Sequence, residues 1–193
     1  MLTEQLKKYV PVNIQEERDK EKFISFLNNN KNAFSRDNSE GHVTVSAWIV
    51  NEAMDKVLFC YHNIYNSWSW LGGHADGEKN FITVALKEAE EEAGIKPLGV
   101  SEDILSIEIL PVSGHMKKGE YVSSHIHYNV TVLVTASEND EIFSCPDENS
   151  DVAWFGFSEA CAKSTEPWMK ENIYKKIIET LGERKFIIKS LKN

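Results

Sequence analysis

The chain predicts a mixed α/β domain, a mixed β-sheet with helices on both faces. Two observations carry that reading. Runs of alternating apolar side chains are interleaved with runs whose apolar residues recur every three or four positions, and that interleaving builds a sheet covered by helices. A length of 193 residues with 41% hydrophobic content suits one core with peripheral additions.

Residues 1–40 read as an N-terminal helical extension. Leu2, Leu6 and Tyr9 lie at turn spacing, Pro11 interrupts, and Phe23, Ile24 and Leu27 mark a second apolar face. The stretch NNNKNAFSRDNSEGH, Asn28 to His42, is rich in Asn and Ser and reads as a loop into the main domain, residues 41–193. HVTVSAWIV and KVLFCYH, separated by NEAMD, are two β-rich runs joined by a short connection. ILSIEILPV follows, and then HIHYNVTVLVTA, where Val130, Val132 and Val134 alternate with Thr131, Leu133 and Thr135 in the period of a strand. DVAWFGF is a further short strand. EPWMKENIYKKIIETLG closes the domain as a helix, with Ile173, Ile177 and Leu181 at helical spacing and Gly182 as its expected stop.

The formal charge of −9 argues against a duplex nucleic acid or an anionic membrane as partner, since both are gripped by clustered Lys and Arg. A small ligand fits better. Cys60, Cys145 and Cys161 form no CxxC pair, so buried reduced thiols are expected. With no signal-like or spanning apolar run, the expected location is cytoplasmic.

The segment LGGHADGEKNFITVALKEAEEEAGI, Leu71 to Ile95, concentrates the chemistry. On a helix Glu88, Glu91 and Glu92 stand at i, i+3 and i+4, so their carboxylates converge, while Ile82, Leu86, Ala89 and Ala93 form a stripe to bury against the sheet. A solvated acidic face is the ordinary meaning of such a run. Here glycines precede it, allowing close backbone approach, and the carboxylates offer hard oxygen ligands to Mg²⁺ or Mn²⁺.

These residues resemble the signature of the Nudix hydrolases, and the loop is similar to that of a branch carrying GGHADG. KEAEEEAGI matches the second half of the signature, with Lys87 where the family has arginine, then Glu88, Glu91, Glu92, Gly94 and Ile95. Counted from Gly73, the first glutamate of the signature falls at Lys79; the neighbouring acids are Asp76 and Glu78, and a one-residue shift lets Glu78 serve. The resemblance implies a Nudix-type α/β/α sandwich with extra terminal helices, which would shape the substrate groove or a homodimer contact. It implies hydrolysis of a diphosphate in a nucleoside diphosphate linked to another group, with Mg²⁺ or Mn²⁺ held by Glu88, Glu91 and Glu92.

On the same resemblance Lys87 orients Glu91, and Glu91, Glu92 or Glu148 in CPDENSDVAWF acts as base. Gly72, Gly73, His74, Glu78, His125 and His127 are expected along the substrate loop and groove. The HxH of His125 and His127 points both rings to one side of a strand but is a weak metal signal, and no zinc site is expected. Trp68 and Trp70 are expected in the core, and Lys117 and Lys118 in a solvated loop. The alternative reading is a Nudix-shaped module that binds or senses a nucleotide without turning it over.

Overall fold

The computed structural model describes residues 2–117 and 119–191. Two helices open the chain, α1 (Leu2–Lys8) and α2 (Ile14–Asn29). Pro11 falls in the break between them, and the Asn13 side chain caps α2 by accepting the Glu16 N–H at 2.9 Å. Then come β1 (Gly41–Val50), β2 (Lys56–His62), β3 (Ser67–Ser69), β4 (Leu71–His74), α3 (Phe81–Ala93) and β5 (Gly99–Val112). A small hairpin, β6 (His115–Lys117) with β7 (Glu120–Val122), precedes β8 (His125–Thr135) and β9 (Asn149–Gly156). The chain ends with α4 (Phe157–Lys163), a π-helical segment (Met169–Tyr174), α5 (Lys175–Glu183) and β10 (Ile188–Ser190).

The main sheet runs β10-β5-β8-β1-β2-β3, with β4 also on β1 and β9 also on β2. Among the described residues only the β1–β8 pairing is parallel, so the sheet is mixed. One edge of β1 is shared: Thr44 to Ala47 pair with β4, whereas Ile49 and Val50 pair with β2. The strands therefore part beyond that point, and a cleft opens between them.

All of β1 is buried, which is the mark of a central strand covered on both faces. Its odd residues Val43, Val45, Ala47 and Ile49 join Leu6, Phe23, Val84, Ala85 and Ala89 in one core under α1, α2 and α3. On the opposite face Trp48 and Val50 join Phe59, Leu133, Tyr174 and Ile177 under the C-terminal helices. The same face carries polar side chains nearer the start of β1, and that asymmetry positions the site.

Three local expectations are corrected. Gly182 does not stop the last helix; it lies inside α5, and the backbone turns extended only at Arg184. Glycine lowers helix propensity by about 1 kcal/mol but need not adopt a left-handed angle, and Gly182 does not. The same helix begins as a π-helix, which apolar spacing alone does not encode. Cys60 and Cys161 are buried free thiols, but Cys145 sits half-buried in the loop before β9.

An ionic network ties the terminal helices to the sheet. Lys176 Nζ lies 2.9 Å from Glu16 Oε1 and 3.2 Å from Glu108 Oε1, joining α2, α5 and β5. Tyr9 Oη and the Val12 N–H donate to Glu16 Oε2, and the single Ser106 hydroxyl proton lies between Glu16 Oε1 and Glu108, within hydrogen-bond distance of both. Among the described residues no helix is long and apolar enough to cross a membrane.

Candidate active site

The site begins with how α3 is held. Asn80 caps it by accepting the Ile82 N–H at 3.1 Å, and Gly94 ends it in the left-handed conformation at φ 67°. Phe81, Val84, Ala85, Ala89 and Ala93 face the core, with Ile82 and Leu86 at its margin. The buried stripe is thus rotated from the expected one, and it carries Glu88 and Glu92 inward. Their exposures are 7% and 2%. Glu91 stands off that line, and its side chain is 57% exposed.

The glycines explain how two carboxylates fit against a strand. Glu92 Oε2 accepts the Gly72 N–H at 2.8 Å. A Cβ on Gly73 would lie 2.6 Å from the Glu88 carboxylate, and one on Gly72 would lie 2.7 Å from Ser46 Cα. Any side chain at Gly73 would push Glu88 away. Burial raises the pKa of Glu88 to about 7; Lys87 opposes this, and Glu148, Glu91 and Asp76 add to it. Burial likewise raises Glu92 to about 8, against the Gly72 hydrogen bond and reinforced by Glu88 and Glu148.

Glu148 comes to the same cleft from the loop before β9, and its charge adds to the raised pKa of both Glu88 and Glu92. The fully buried Asn149 side chain fixes the loop: its Nδ2 donates to the Glu92 carbonyl at 3.0 Å, and its Oδ1 accepts the Cys145 N–H at 3.0 Å. Asn149→Ala is expected to cost about 1–3 kcal/mol in chemical denaturation, since a buried N–H and C=O lose their partners. Turnover should fall more than KM rises, because Glu148 loses its anchor. An unchanged denaturation midpoint would contradict this account.

The carboxylates lie along a cleft of about 980 Å³ whose rim carries Tyr65, Tyr121 and Trp168. The family model described as NUDIX domain matches residues 40–181. The chain belongs to the Nudix family. It is thereby a hydrolase of the pyrophosphatase type, and enzymes of this family generally need a divalent metal.

Solved Nudix-like structures share the fold. An Ap4A hydrolase from C. elegans is 19% identical, with 74% of this chain and 98% of that one covered at a TM-score of 0.55. A NUDIX-family hydrolase from Clostridium perfringens is 23% identical over 74% and 97%, with TM-score 0.51. The E. coli dihydroneopterin triphosphate pyrophosphohydrolase is 14% identical over 71% and 94%, with TM-score 0.54. At these identities the likeness is one of fold. No curated protein matches the chain.

Within this Nudix domain the anticipated residues are only partly together. Glu88, Glu91, Glu92, Lys87, Gly72, Gly73, His74, His125, His127 and Glu148 all line the cleft. Lys87 Nζ sits 2.9 Å from Glu91 Oε2 and 3.8 Å from Glu88 Oε1. Glu78 does not line the cleft: its carboxylate accepts the Asn80 N–H at 2.7 Å, so it serves the turn before α3. The cleft acid of that loop is Asp76, both of whose carboxylate oxygens are held by Arg36. Arg36 comes from the Asn/Ser-rich loop, and nothing in that loop's composition distinguishes it from a solvated arginine.

Trp70 lines the cleft, while Trp68 packs edge-on against Phe155 at 4.8 Å. Of the two loop lysines, Lys117 lies on β6 and Lys118 falls outside the described residues. His42, a residue the sequence did not single out, joins the three anticipated histidines. Burial holds the pKa values of His42 and His127 below the ordinary imidazole range, with neighbouring rings adding to the depression.

Proposed function

We propose that this Nudix domain hydrolyses the diphosphate of a nucleoside diphosphate linked to a second group, with Mg²⁺ as its ion and Mn²⁺ as a substitute, and that it works in the cytoplasm. The observation that carries this is the pair of buried glutamates, Glu88 and Glu92, brought together with Glu148 and both raised toward neutral pKa. Desolvated carboxylates at this density are a costly arrangement without a cation, and hard oxygen donors suit Mg²⁺. The donor set therefore fits the ion. Glu88, Glu92 and Glu91 would hold it, and when bound it supplies charge neutralisation of the diphosphate and a more acidic water.

The chain's own groups divide the remaining work. Lys87 holds Glu91 toward the site through its 2.9 Å contact. Glu92 gives one oxygen to the Gly72 N–H and would give the other to the ion, and Glu91 is paired with Lys87, so Glu148 is the acid best placed to accept a proton from an attacking water. Asn149 keeps it there. The polyanion approaches a protein of charge −9, so attraction must come from the ion and from Arg36 and Lys87 at the cleft. Tyr65, Tyr121 and Trp168 offer aromatic faces to a nucleobase at the rim. In this reading residues 1–40 are an extension that braces the domain 41–193.

The test is release of phosphate-ended product from ADP-ribose, sugar nucleotides, dinucleoside polyphosphates and nucleoside triphosphates, each with Mg²⁺, Mn²⁺ or EDTA. Hydrolysis of one class only when metal is present is the expected result. Folded protein silent on the whole panel would leave a nucleotide-sensing module instead, a reading that Lys79 at the signature's first acid position and the outward Glu78 would then explain.

A further inference from the structure

We infer that His42, His74, His125 and His127 form a second metal site, separate from the carboxylates, that takes Zn²⁺ or a similar borderline transition ion with all four imidazoles as ligands. The four come from three neighbouring strands. β1 pairs with β8 so that His42 is opposite His127, and His125 lies two residues back on the same face of β8. β1 pairs with β4 so that Thr44 is opposite His74, and Thr44 shares the face of His42. The register alone therefore points the four rings to one side of the sheet. Gly73, whose own side of β4 meets Glu88, separates this cluster from the α3 carboxylates.

The ring spacings match a tetrahedral site. Five pairs of ring centres lie at 4.9, 4.9, 5.1, 5.1 and 4.9 Å: His42–His74, His42–His125, His42–His127, His74–His127 and His125–His127. With Zn–N of about 2.0–2.1 Å, and ring centres about 1.1 Å beyond the nitrogen, four tetrahedral imidazoles have centres about 5.2 Å apart. The ligating nitrogens lie within 4.8 Å of one another, and small ring rotations bring them to the ~3.4 Å edges of such a site.

The outer shell fixes the tautomers that ligation needs. His125 Nδ1 lies 2.8 Å from the Ser123 carbonyl, and His42 Nδ1 lies 3.1 Å from the Asn38 carbonyl. A carbonyl only accepts, so each Nδ1 carries the proton and each Nε2 presents a lone pair. His42 Nε2 is buried with no hydrogen-bond partner, and His125 Nε2 faces His127 Nε2 at 3.0 Å. An orphaned buried acceptor is costly unless something binds it.

Four imidazoles with no carboxylate select Zn²⁺, Co²⁺, Ni²⁺ or Cu²⁺ over Mg²⁺. Four protein ligands also leave no open position, so the site clamps β1, β4 and β8 together and does not activate water.

Co²⁺ added to chelator-stripped protein in excess Mg²⁺ tests this without substrate. One Co²⁺ per chain with the strong visible bands of tetrahedral coordination, displaced by one equivalent of Zn²⁺, is expected. The Glu88→Gln/Glu92→Gln double variant should keep the bands, and His125→Gln/His127→Gln should lose them while the far-ultraviolet spectrum stays native. Should the histidine variant not fold, the bands in the unaltered protein and in the glutamine variant still decide. No bands, weak six-coordinate bands, or bands that Mg²⁺ abolishes would overturn the proposal.

Discussion

Glu92→Gln is expected to lower kcat by about 10²–10³-fold, the scale of losing several kcal/mol of metal-borne transition-state stabilisation, and at the same time to make the metal-free protein more stable. The amide can still accept the Gly72 N–H that Glu92 accepts at 2.8 Å, so the fold loses no hydrogen bond. It loses a charge that burial, Glu88 and Glu148 all disfavour. A carboxyl raised from 4.5 to about 8 in the folded state binds protons there that the unfolded chain releases. Stability of the metal-free protein must therefore fall as pH rises from about 4.5 to about 8, by a few kcal/mol at most. In Glu92→Gln that slope should flatten, leaving the smaller share of Glu88, and Mg²⁺ should raise the melting temperature less than in the unaltered protein. A purely structural Glu92 gives the opposite pair of results, retained turnover and lowered stability.

How much of this was legible depends on the range of the interactions. α3 could be read because its signals are local: the carboxylates at i, i+3 and i+4, and Gly94 at its end. The strands could be read because burial on both faces of β1 and alternation along β8 are properties of single segments. The exact face of α3 could not, since Phe81, Val84 and Ala85 were drawn inward beside the expected Ala89 and Ala93, turning Glu88 and Glu92 into the core boundary. Arg36 is four decades of residues from Asp76 along the chain, and only the fold pairs them. The four-histidine cluster needs two strand registers at once, β1 with β4 and β1 with β8, whereas the HxH spacing alone shows half of it.

The polar face of the sheet has a second role, which the ionic network makes measurable. Glu108 Oε2 accepts from Asn129 Nδ2 at 2.9 Å and from Thr131 Oγ1 at 3.2 Å, and Asn129 Oδ1 accepts from Thr44 and Ser46 at 3.0 and 3.1 Å. Asn129, Thr44 and Ser46 line the cleft. A continuous chain of hydrogen bonds thus runs from Glu16 on α2, through Lys176, to the cleft floor. In such a network every member must be satisfied, since a half-satisfied one is worse than an apolar core.

Lys176→Met should accordingly destabilise the protein by about 3–5 kcal/mol, the usual cost of stripping one partner from a buried ion pair. Lys176 is 7% exposed and its ammonium is the shared counter-charge of two fully buried carboxylates. Burial alone would raise the Glu16 pKa, but Lys176, Tyr9 and the Val12 N–H outweigh it and hold it below 4.5. In the unaltered protein that share of stability is present above the unfolded pKa and is lost as pH falls through the lower folded value. Without Lys176 the balance reverses: Glu16 keeps the burial and loses its main opposing charge, so the variant should gain stability as pH falls toward 5. Urea denaturation of both proteins between pH 5 and 8 reads the difference: the Glu16 share is flat across this window in the unaltered protein, whereas in the variant it adds stability toward pH 5 on top of the slope that Glu88 and Glu92 give both. Adding Glu16→Gln and Glu108→Gln to the lysine variant should recover much of the loss, because neutral groups in the same place no longer need a cation. Parallel pH slopes in the two proteins would mean that the ammonium does not set the protonation of Glu16, and the network would then be packing rather than electrostatics.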